Sequence, residues 1–355
     1  MNKEYLRLPG PVDPHVHLRE PGATHKEDLE TGTKAAAAGG YTGILDMPNN
    51  PEPTITPEAL NKKINLATGR IYVDVGFNYG ATLESSRTFE QIQGFVRALK
   101  VYMNPTTGNL LVEKDEDLEL IFLRWPHGKP IMVHAEGETF ARAIDLARKT
   151  RQRMHLCHMS LASEVELVKQ AKNEGLPVTC EVSVHHLFLN EDDADDIPRG
   201  FGRMKPPLAT EDDRLSLWRN LDVIDVLASD HAPHTKGEKD LFEEGRGPYG
   251  VPGLETSLPI MLTAVMNGRL SIEKLVDMVS TKPKQIFGIR DNNATYIEVD
   301  LGYKYTIDES RLQTKAGWTP FSGVPVEARI ARVVLRGQEV FNGEEIVGPP
   351  RGKII

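Results

Sequence analysis

The sequence has few cysteines, no long apolar run and no excess of basic residues, and each absence narrows the class of protein. Only Cys157 and Cys180 are present, so a disulfide framework is excluded and a reducing cytoplasm is the expected location. No apolar run approaches the roughly 18 residues of a membrane span, and residues 1–10 lack the apolar core of a signal peptide. With 42 basic and 51 acidic residues the net charge is −9, so we expect neither a nucleic-acid nor a membrane partner.

Eight short apolar or β-branched runs recur along the first two thirds of the 355-residue chain. Most are continuously apolar, which is typical of parallel strands buried on both faces. Helix-like stretches separate them, among them 24–38, which begins at Thr24 and ends before Gly39, and 162–173. This alternation predicts a (β/α)8 TIM barrel with strands at residues 12–17, 43–47, 72–77, 98–102, 130–134, 154–157, 178–182 and 223–228.

The remaining segments depart from this alternation. Residues 185–220 form a long insertion, whose acidic run 191–196 we interpret as a solvated loop. A second long loop, 235–253, precedes helical segments over 254–279, and the tail over 296–347 reads as short strands with a hairpin turn at Asn342-Gly343. We therefore expect a barrel over residues 10–295 and a small β appendage built from residues 1–9 and, mainly, from the tail at 296–355.

Four histidines and an aspartate fall at the ends of predicted strands. His15 and His17 are two residues apart on the first strand, so both side chains point to the same side. His134 ends the fifth strand, His158 follows the sixth and Asp230 follows the eighth. The C-terminal ends of barrel strands surround one pocket, so these side chains should converge. Imidazole and carboxylate together predict a site for zinc or a similar divalent ion.

Lys100 lies on the fourth predicted strand between apolar neighbours. Burial there would favour a neutral amine, which can add carbon dioxide to give a carbamate. A carbamate is a carboxylate on a long arm, and it could bridge the two ions of a two-metal centre. The alternative is a lysine whose ammonium reaches solvent at the strand end. Spacing alone leaves both interpretations open.

Seven motifs are spread over nearly the whole chain: DPHVHLREPG (13–22), DMPNN (46–50), ALKVYMN (98–104), VHAE (133–136), HLCH (155–158), TCEVSVHHLFL (179–189) and SDHAPH (229–234). In this order they resemble the motifs of the dihydroorotase family in the amidohydrolase superfamily. Among its members, the likeness is greatest to the dihydroorotase domain of the animal multifunctional pyrimidine-synthesis protein. The resemblance implies a cytoplasmic enzyme for the reversible, zinc-dependent cyclisation of N-carbamoyl-L-aspartate to L-dihydroorotate in pyrimidine biosynthesis.

The resemblance implies two zinc ions bridged by an N6-carboxylated Lys100. A hydroxide held between the ions would attack the ring amide carbonyl, and Asp230 would carry its proton to the leaving nitrogen. The other ligands carried over from the family are His15, His17 and Asp230 for the first ion and His134 and His158 for the second.

Cys157 and Glu181 match residues near which a third metal ion binds in some relatives. The alternative roles are a buried thiol beside the site and a carboxylate that orients a metal-bound histidine. The resemblance leaves both open.

A substrate of this family carries a carboxylate that does not react. Arg19, Asn49 and His234 match the family's binders of that group, and the planar guanidinium of an arginine suits bidentate pairing with it.

Residues 104–112 match a mobile loop over the substrate, from which Thr106 or Thr107 could reach it. Lys205 stands where bacterial members commonly have asparagine and the animal domain has arginine. Its contact could be made by the backbone, in which case the change would matter little.

Two alternatives to this function can be weighed from the sequence. An allantoinase or hydantoinase would share the metal site, but its substrate has no carboxylate for Arg19, Asn49 and His234. A catalytically inactive homologue that serves as a scaffold would typically have lost metal ligands, and here all of them are present. The resemblance also implies a homodimer and an association with aspartate transcarbamoylase.

Overall fold

The computed structural model describes residues 5–197, 200–244 and 246–355. No helix among these residues is long and apolar enough to cross a membrane. The strands are β1 (Leu6–Pro9), β2 (Val12–Val16), β3 (Gly43–Asp46), β4 (Asp74–Phe77), β5 (Tyr79–Gly80), β6 (Leu99–Tyr102), β7 (Ile131–His134), β8 (Met154–Leu156), β9 (Val178–Ser183), β10 (Val226–Ala228), β11 (Tyr296–Thr306), β12 (Pro325–Leu335) and β13 (Gln338–Phe341).

Strands β2 to β10 form the barrel, and all of their pairings are parallel. One run of the sheet is β2-β3-β4 and the other is β5-β6-β7-β8-β9-β10. Strands β4 and β5 act as one barrel strand interrupted at Asn78, since the Arg97 amide donates to the Phe77 carbonyl at 2.8 Å. At the other edge, the His17 amide donates to the His231 carbonyl at 2.8 Å and links β2 to the segment after β10. The predicted TIM barrel and its eight strands are confirmed, with ends displaced by up to three residues.

Helices follow the barrel strands and cover the outside of the sheet. The helix predicted at 162–173 has these bounds, but the one predicted from Thr24 begins only at Leu29. The Asp28 side chain accepts a hydrogen bond from the Thr31 amide at 2.8 Å and sets that start. The helices are α1 (Leu29–Ala38), α2 (Pro57–Ala67), α3 (Phe89–Ile92), α4 (Asp115–Arg124), α5 (Glu138–Thr150), α6 (Ala162–Asn173), α7 (Val184–Phe188), α8 (Glu191–Asp196), α9 (Glu211–Arg219), α10 (Lys236–Asp240), α11 (Leu254–Met266), α12 (Ile272–Val276) and α13 (Lys282–Phe287).

The acidic run at 191–196 is helix α8, so its interpretation as a loop is wrong. The Asn190 side chain caps this helix by accepting from the Asp193 amide at 3.0 Å. Acidic residues in the first turn also favour a helix start, because they face the positive end of its dipole. Only Ala194 is buried in this helix, so the run is exposed as expected.

The appendage is an antiparallel sheet in the order β1-β11-β12-β13. The turn between β12 and β13 lies at Arg336-Gly337, whose φ angles of 51° and 78° suit a tight hairpin. The Asn342-Gly343 turn follows β13 and leads to a single antiparallel bridge at Ile346. The division of the chain after residues 9 and 295 stays a prediction.

Two parts of the tail return to the barrel. The Val75 amide donates to the Lys353 carbonyl at 2.9 Å, and the Ile355 amide donates to the Val75 carbonyl at 3.0 Å, beside β4. The indole nitrogen of Trp318 donates to the His234 carbonyl at 2.7 Å. The tail therefore contacts both ends of the barrel.

Candidate active site

A pocket opens where the C-terminal ends of the barrel strands meet. His134 is the last residue of β7, while His158 and Asp230 lie two residues after β8 and β10. The strand ends thus bring together residues that are far apart in the sequence, as predicted. The residues that line the pocket are His15, His17, Arg19, Asn49, Tyr102, Thr106, Thr107, His134, His158, Lys205, Asp230, Ala232, Tyr249 and Gly250.

One ligand group consists of His15, His17 and Asp230, and it could hold a metal ion. The Nε2 atoms of both histidines lie 3.4 Å from Asp230 Oδ1. Ligand atoms that share a tetrahedral zinc ion at about 2.0 to 2.1 Å lie about 3.3 Å apart. Burial lowers the pKa of both histidines, so their nitrogens carry lone pairs at neutral pH. The spacing and the protonation state both fit a divalent ion.

Hydrogen bonds at the other ring nitrogen, Nδ1, orient the imidazoles of His15 and His17. His17 Nδ1 lies 2.8 Å from the amide oxygen of Asn49, and His15 Nδ1 is hydrogen-bonded to Glu181 Oε1. Both partners are acceptors, so the hydrogen sits on each Nδ1 and the lone pair of each Nε2 faces Asp230. Although burial alone would raise it, the pKa of Glu181 is lowered by its hydrogen bonds and electrostatic interactions with His15 and His155.

The second ligand pair is His134 and His158. His134 Nδ1 lies 2.8 Å from His158 Nε2, and His134 Nε2 lies 2.9 Å from Glu136 Oε1. Because Glu136 accepts from Nε2, the Nδ1 lone pair of His134 is the one that faces His158. The Nδ1 of His158 is buried and has no hydrogen-bond partner within the described ranges. Burial lowers the pKa of both residues, which leaves imidazoles competent to bind a metal.

Lys100 lies beneath this pocket and has no exposed surface. Its Nζ is 3.0 Å from Cys157 Sγ and 5.2 Å from the centre of the Tyr102 ring. Across the described residues, no carboxylate oxygen lies within ion-pair distance of this amine. Burial raises the pKa of the Cys157 thiol, so the thiol supplies no negative charge either. The alternative of a lysine that reaches solvent is therefore wrong.

A further group that could hold a metal consists of His15, Cys157 and Glu181, all buried. In this structure Glu181 accepts hydrogen bonds from His15, from His155 Nε2 at 3.0 Å and from the His158 amide at 3.3 Å. These contacts give the carboxylate an orienting role without any metal ion.

Arg19 provides a buried cation next to the ligands. Its Nε donates to the Pro233 carbonyl at 3.0 Å, and its Nη2 lies 3.0 Å from His234 Nε2. Burial lowers its pKa to about 10, so it stays protonated at neutral pH. His234 is fully buried behind the pocket wall, and it reaches the pocket through Arg19 and Tyr249.

The loop and rim residues complete the pocket. Asn49 Nδ2 donates to the Thr107 carbonyl at 2.8 Å, so it connects His17 to the loop that carries both threonines. On the opposite side, Lys205 Nζ lies 3.6 Å from Glu136 Oε2 and 5.2 Å from the centre of the Tyr249 ring. Its side chain, and not only its backbone, therefore faces the site.

Backbone strain also concentrates here. Arg19, His158 and Asp230 have positive φ angles of 62°, 33° and 45°. Such conformations are costly for residues other than glycine, and they persist where the surroundings fix them, often at functional sites.

Several pocket residues were missed by sequence reasoning. Tyr102 and Glu136 each lie two residues after a proposed ligand, Lys100 or His134, and this spacing could have indicated them. Tyr249 and Gly250 enter from a long irregular segment, where no periodic pattern identifies them.

Three comparisons relate this chain to known proteins. A family model described as dihydro-orotase-like matches residues 5–101. The chain is 43% identical over 348 residues to the multifunctional protein CAD of Squalus acanthias, covering 97% of this chain but only 15% of that protein. It is 35% identical over 376 residues to the dihydroorotase of Pyrococcus furiosus, covering 100% of this chain and 86% of that one.

The solved structure of L-hydantoinase (dihydropyrimidinase) from Arthrobacter aurescens has the same fold, with a TM-score of 0.91 and 28% identity over 99% of this chain and 88% of that one. Fold and site together define a barrel of the amidohydrolase class. Within that class, the chain belongs to the dihydroorotase family.

Proposed function

We propose that the chain is a dihydroorotase, which interconverts N-carbamoyl-L-aspartate and L-dihydroorotate in pyrimidine biosynthesis. The observation that carries this proposal is the buried, protonated Arg19 next to the ligand group of His15, His17 and Asp230. An amide-hydrolysing site needs the ligand group, whereas only a substrate with a spare carboxylate needs the arginine.

The proposed cofactor is a pair of zinc ions with N6-carboxylated Lys100 as the bridge. An uncompensated ammonium at this depth is costly, and carboxylation turns it into an anion among histidines. When bound, the ions would polarise the amide carbonyl and activate a water molecule. The proposed ligands besides the bridge are His15, His17, His134, His158 and Asp230.

The chain's own residues then have distinct tasks. Asp230 is the catalytic residue: its carboxylate takes the proton of the attacking water and delivers it to the ring nitrogen as the amide bond breaks. Arg19, Asn49 and His234 form the proposed binding site of the unreactive carboxylate, in which His234 acts from behind the pocket wall through Arg19. Thr106 and Thr107 close over the substrate and exclude water. The amine of Lys205, at the rim of the pocket, balances the negative charge of the substrate.

Cys157 and Glu181 are proposed as neighbours of the ligands, with Glu181 orienting His15. A third zinc ion at His15, Cys157 and Glu181 would be the other outcome. The number of zinc ions per chain distinguishes these two roles: two ions support the orienting role of Glu181, and three support the additional metal site.

We also propose a homodimer that associates with aspartate transcarbamoylase in a reducing cytoplasm. The match to one part of a multifunctional protein supports an association with another enzyme, and the two free, buried cysteines support the reducing environment. Light scattering of the chain alone and with the transcarbamoylase tests both associations.

Steady-state assays of the zinc-loaded, bicarbonate-treated protein test the function. Activity is expected on dihydroorotate and not on hydantoin or allantoin, and Arg19→Met should raise the KM for dihydroorotate about tenfold or more. Turnover of hydantoin alone would favour a hydantoinase, which the shared fold allows. A protein that binds no metal and turns over none of the three would favour a scaffold.

A further inference from the structure

His234 has three hydrogen-bonding neighbours for its two ring nitrogens. Lys26 Nζ lies 3.1 Å from Nδ1, while Arg19 Nη2 and the Tyr249 carbonyl oxygen each lie 3.0 Å from Nε2. Because His234 is fully buried, solvent satisfies neither nitrogen. These three neighbours therefore decide which nitrogen carries the hydrogen.

Lysine and arginine only donate hydrogen bonds, and a backbone carbonyl only accepts them. With the hydrogen on Nε2, His234 donates to Tyr249 and accepts from Lys26, which satisfies two of the three contacts. With the hydrogen on Nδ1, that N–H would face an ammonium and only the Arg19 contact would be satisfied. A charged imidazolium would face two cations, and burial together with Arg19 lowers the pKa of His234 well below its ordinary value.

We propose that Lys26 is a positioning residue: its ammonium occupies the Nδ1 lone pair of His234, keeps the hydrogen on Nε2 and so leaves Arg19 Nη2 available to the substrate carboxylate. In the opposite tautomer, Nε2 would accept from Arg19 Nη2. Arg19 would then lose a donor that a carboxylate needs. The identity of that carboxylate rests on the proposed function, whereas the tautomer does not.

The fold holds Lys26 in this position. Glu238 Oε1 lies 3.0 Å from Lys26 Nζ and 3.2 Å from His25 Nε2. Glu238 is itself fixed at the start of α10, where its Oε2 accepts from the Thr235 amide at 3.0 Å. The side chain of Lys26 is only 17% exposed. The cap of α10 thus holds Glu238, Glu238 holds the ammonium of Lys26, and Lys26 determines the tautomer of His234.

The test compares the zinc-loaded wild type with Lys26→Met, which keeps the length of the side chain but loses the donor. Long-range 1H–15N spectra of protein labelled at histidine report which ring nitrogen carries the hydrogen. The wild type should show His234 with hydrogen on Nε2, and Lys26→Met should shift it toward Nδ1. KM for dihydroorotate should rise about tenfold, the loss of roughly one charge-assisted hydrogen bond, while kcat changes little. Lys26→Arg should restore both readouts.

Lys236→Met is the matched control, because it removes a cation at the start of α10 that pairs with Glu309 at 2.8 Å and does not contact His234. It should leave tautomer and KM unchanged. An Nε2 hydrogen that persists in Lys26→Met, or an equal rise of KM in Lys236→Met, would overturn the proposal. The spectra need no turnover, so a tautomer shift in a protein without dihydroorotase activity would overturn the proposed function alone.

Discussion

The amine of Lys100 lies 3.0 Å from the thiol of Cys157, and within the described part of the chain no carboxylate is close enough to form an ion pair with it. A fully buried cation with such a partner is an expensive arrangement unless its charge changes. The chemistry of this one side chain therefore decides whether the histidines around it can share two metal ions.

Lys100→Ala should bind at most one zinc ion per chain, because the proposed bridging anion is lost. Its kcat should fall at least about 100-fold, since even outer-sphere changes cost 10- to 100-fold. Metal analysis and assays with added propionate, a substitute carboxylate, measure both effects. Lys34→Ala, on the surface of α1 and paired with Glu30, should match the wild type. Two zinc ions in Lys100→Ala would rule out the bridge.

Asp230→Asn should keep most of the metal but lose its proton carrier. Burial raises the pKa of Asp230, which brings the carboxyl closer to the pH range in which it can take and release a proton. Turnover should fall by about 10²- to 10⁴-fold, whereas the exposed Asp222→Asn should have no effect. A near wild-type rate in Asp230→Asn would refute the assignment.

Asn49 connects a ligand to the loop, accepting from His17 and donating to Thr107. Asn49→Ala should therefore weaken zinc binding and raise KM by about tenfold. Asn49→Asp separates the two effects, because it retains the acceptor for His17 and loses the donor to the loop. Zinc titration and steady-state kinetics measure them; an unchanged KM in Asn49→Asp would show that the loop contact is unimportant.

Lys239 makes stability depend on pH. Its buried amine donates to the carbonyls of Arg203, Pro248 and Gly250 at 2.9, 3.0 and 3.0 Å, and burial lowers its pKa from 10.5 to about 7. Between these values the unfolded chain binds more protons than the folded one, so this group makes stability rise with pH, by at most about 1.4 kcal/mol per unit.

Lys239→Met should remove that slope and destabilise the protein by about 1 to 3 kcal/mol, because carbonyls are left unpaired. Urea unfolding at pH 7 and pH 9 measures the slope in both proteins. The same slope in Lys239→Met would mean that another group titrates.

The barrel and its ligands could be predicted because both depend on local patterns. Continuous apolar runs mark the strands, and His15, His134 and Asp230 stand where those runs end. The start of α1 was not predictable in this way, since Glu20 also accepts from the Leu29 amide at 3.0 Å, and such a contact depends on the path of the preceding turn.

The contacts around His234 show the same limit more clearly. Lys26 and His234 are 208 residues apart in sequence, and they meet only because two irregular segments lie against each other. No periodicity describes such segments, so the sequence indicated His234 through its motif but gave no sign of Lys26.

The indole of Trp318 bonds to the carbonyl of His234, and this contact ties the tail to the carboxylate-binding side of the pocket. Local opening of the tail would expose the Trp318 side chain, which is 2% exposed, and would release the segment that holds His234. Residues 314–321 and the carboxylate-binding side of the pocket should therefore open as one cooperative unit. A ligand bound in the pocket would then slow hydrogen exchange in the appendage.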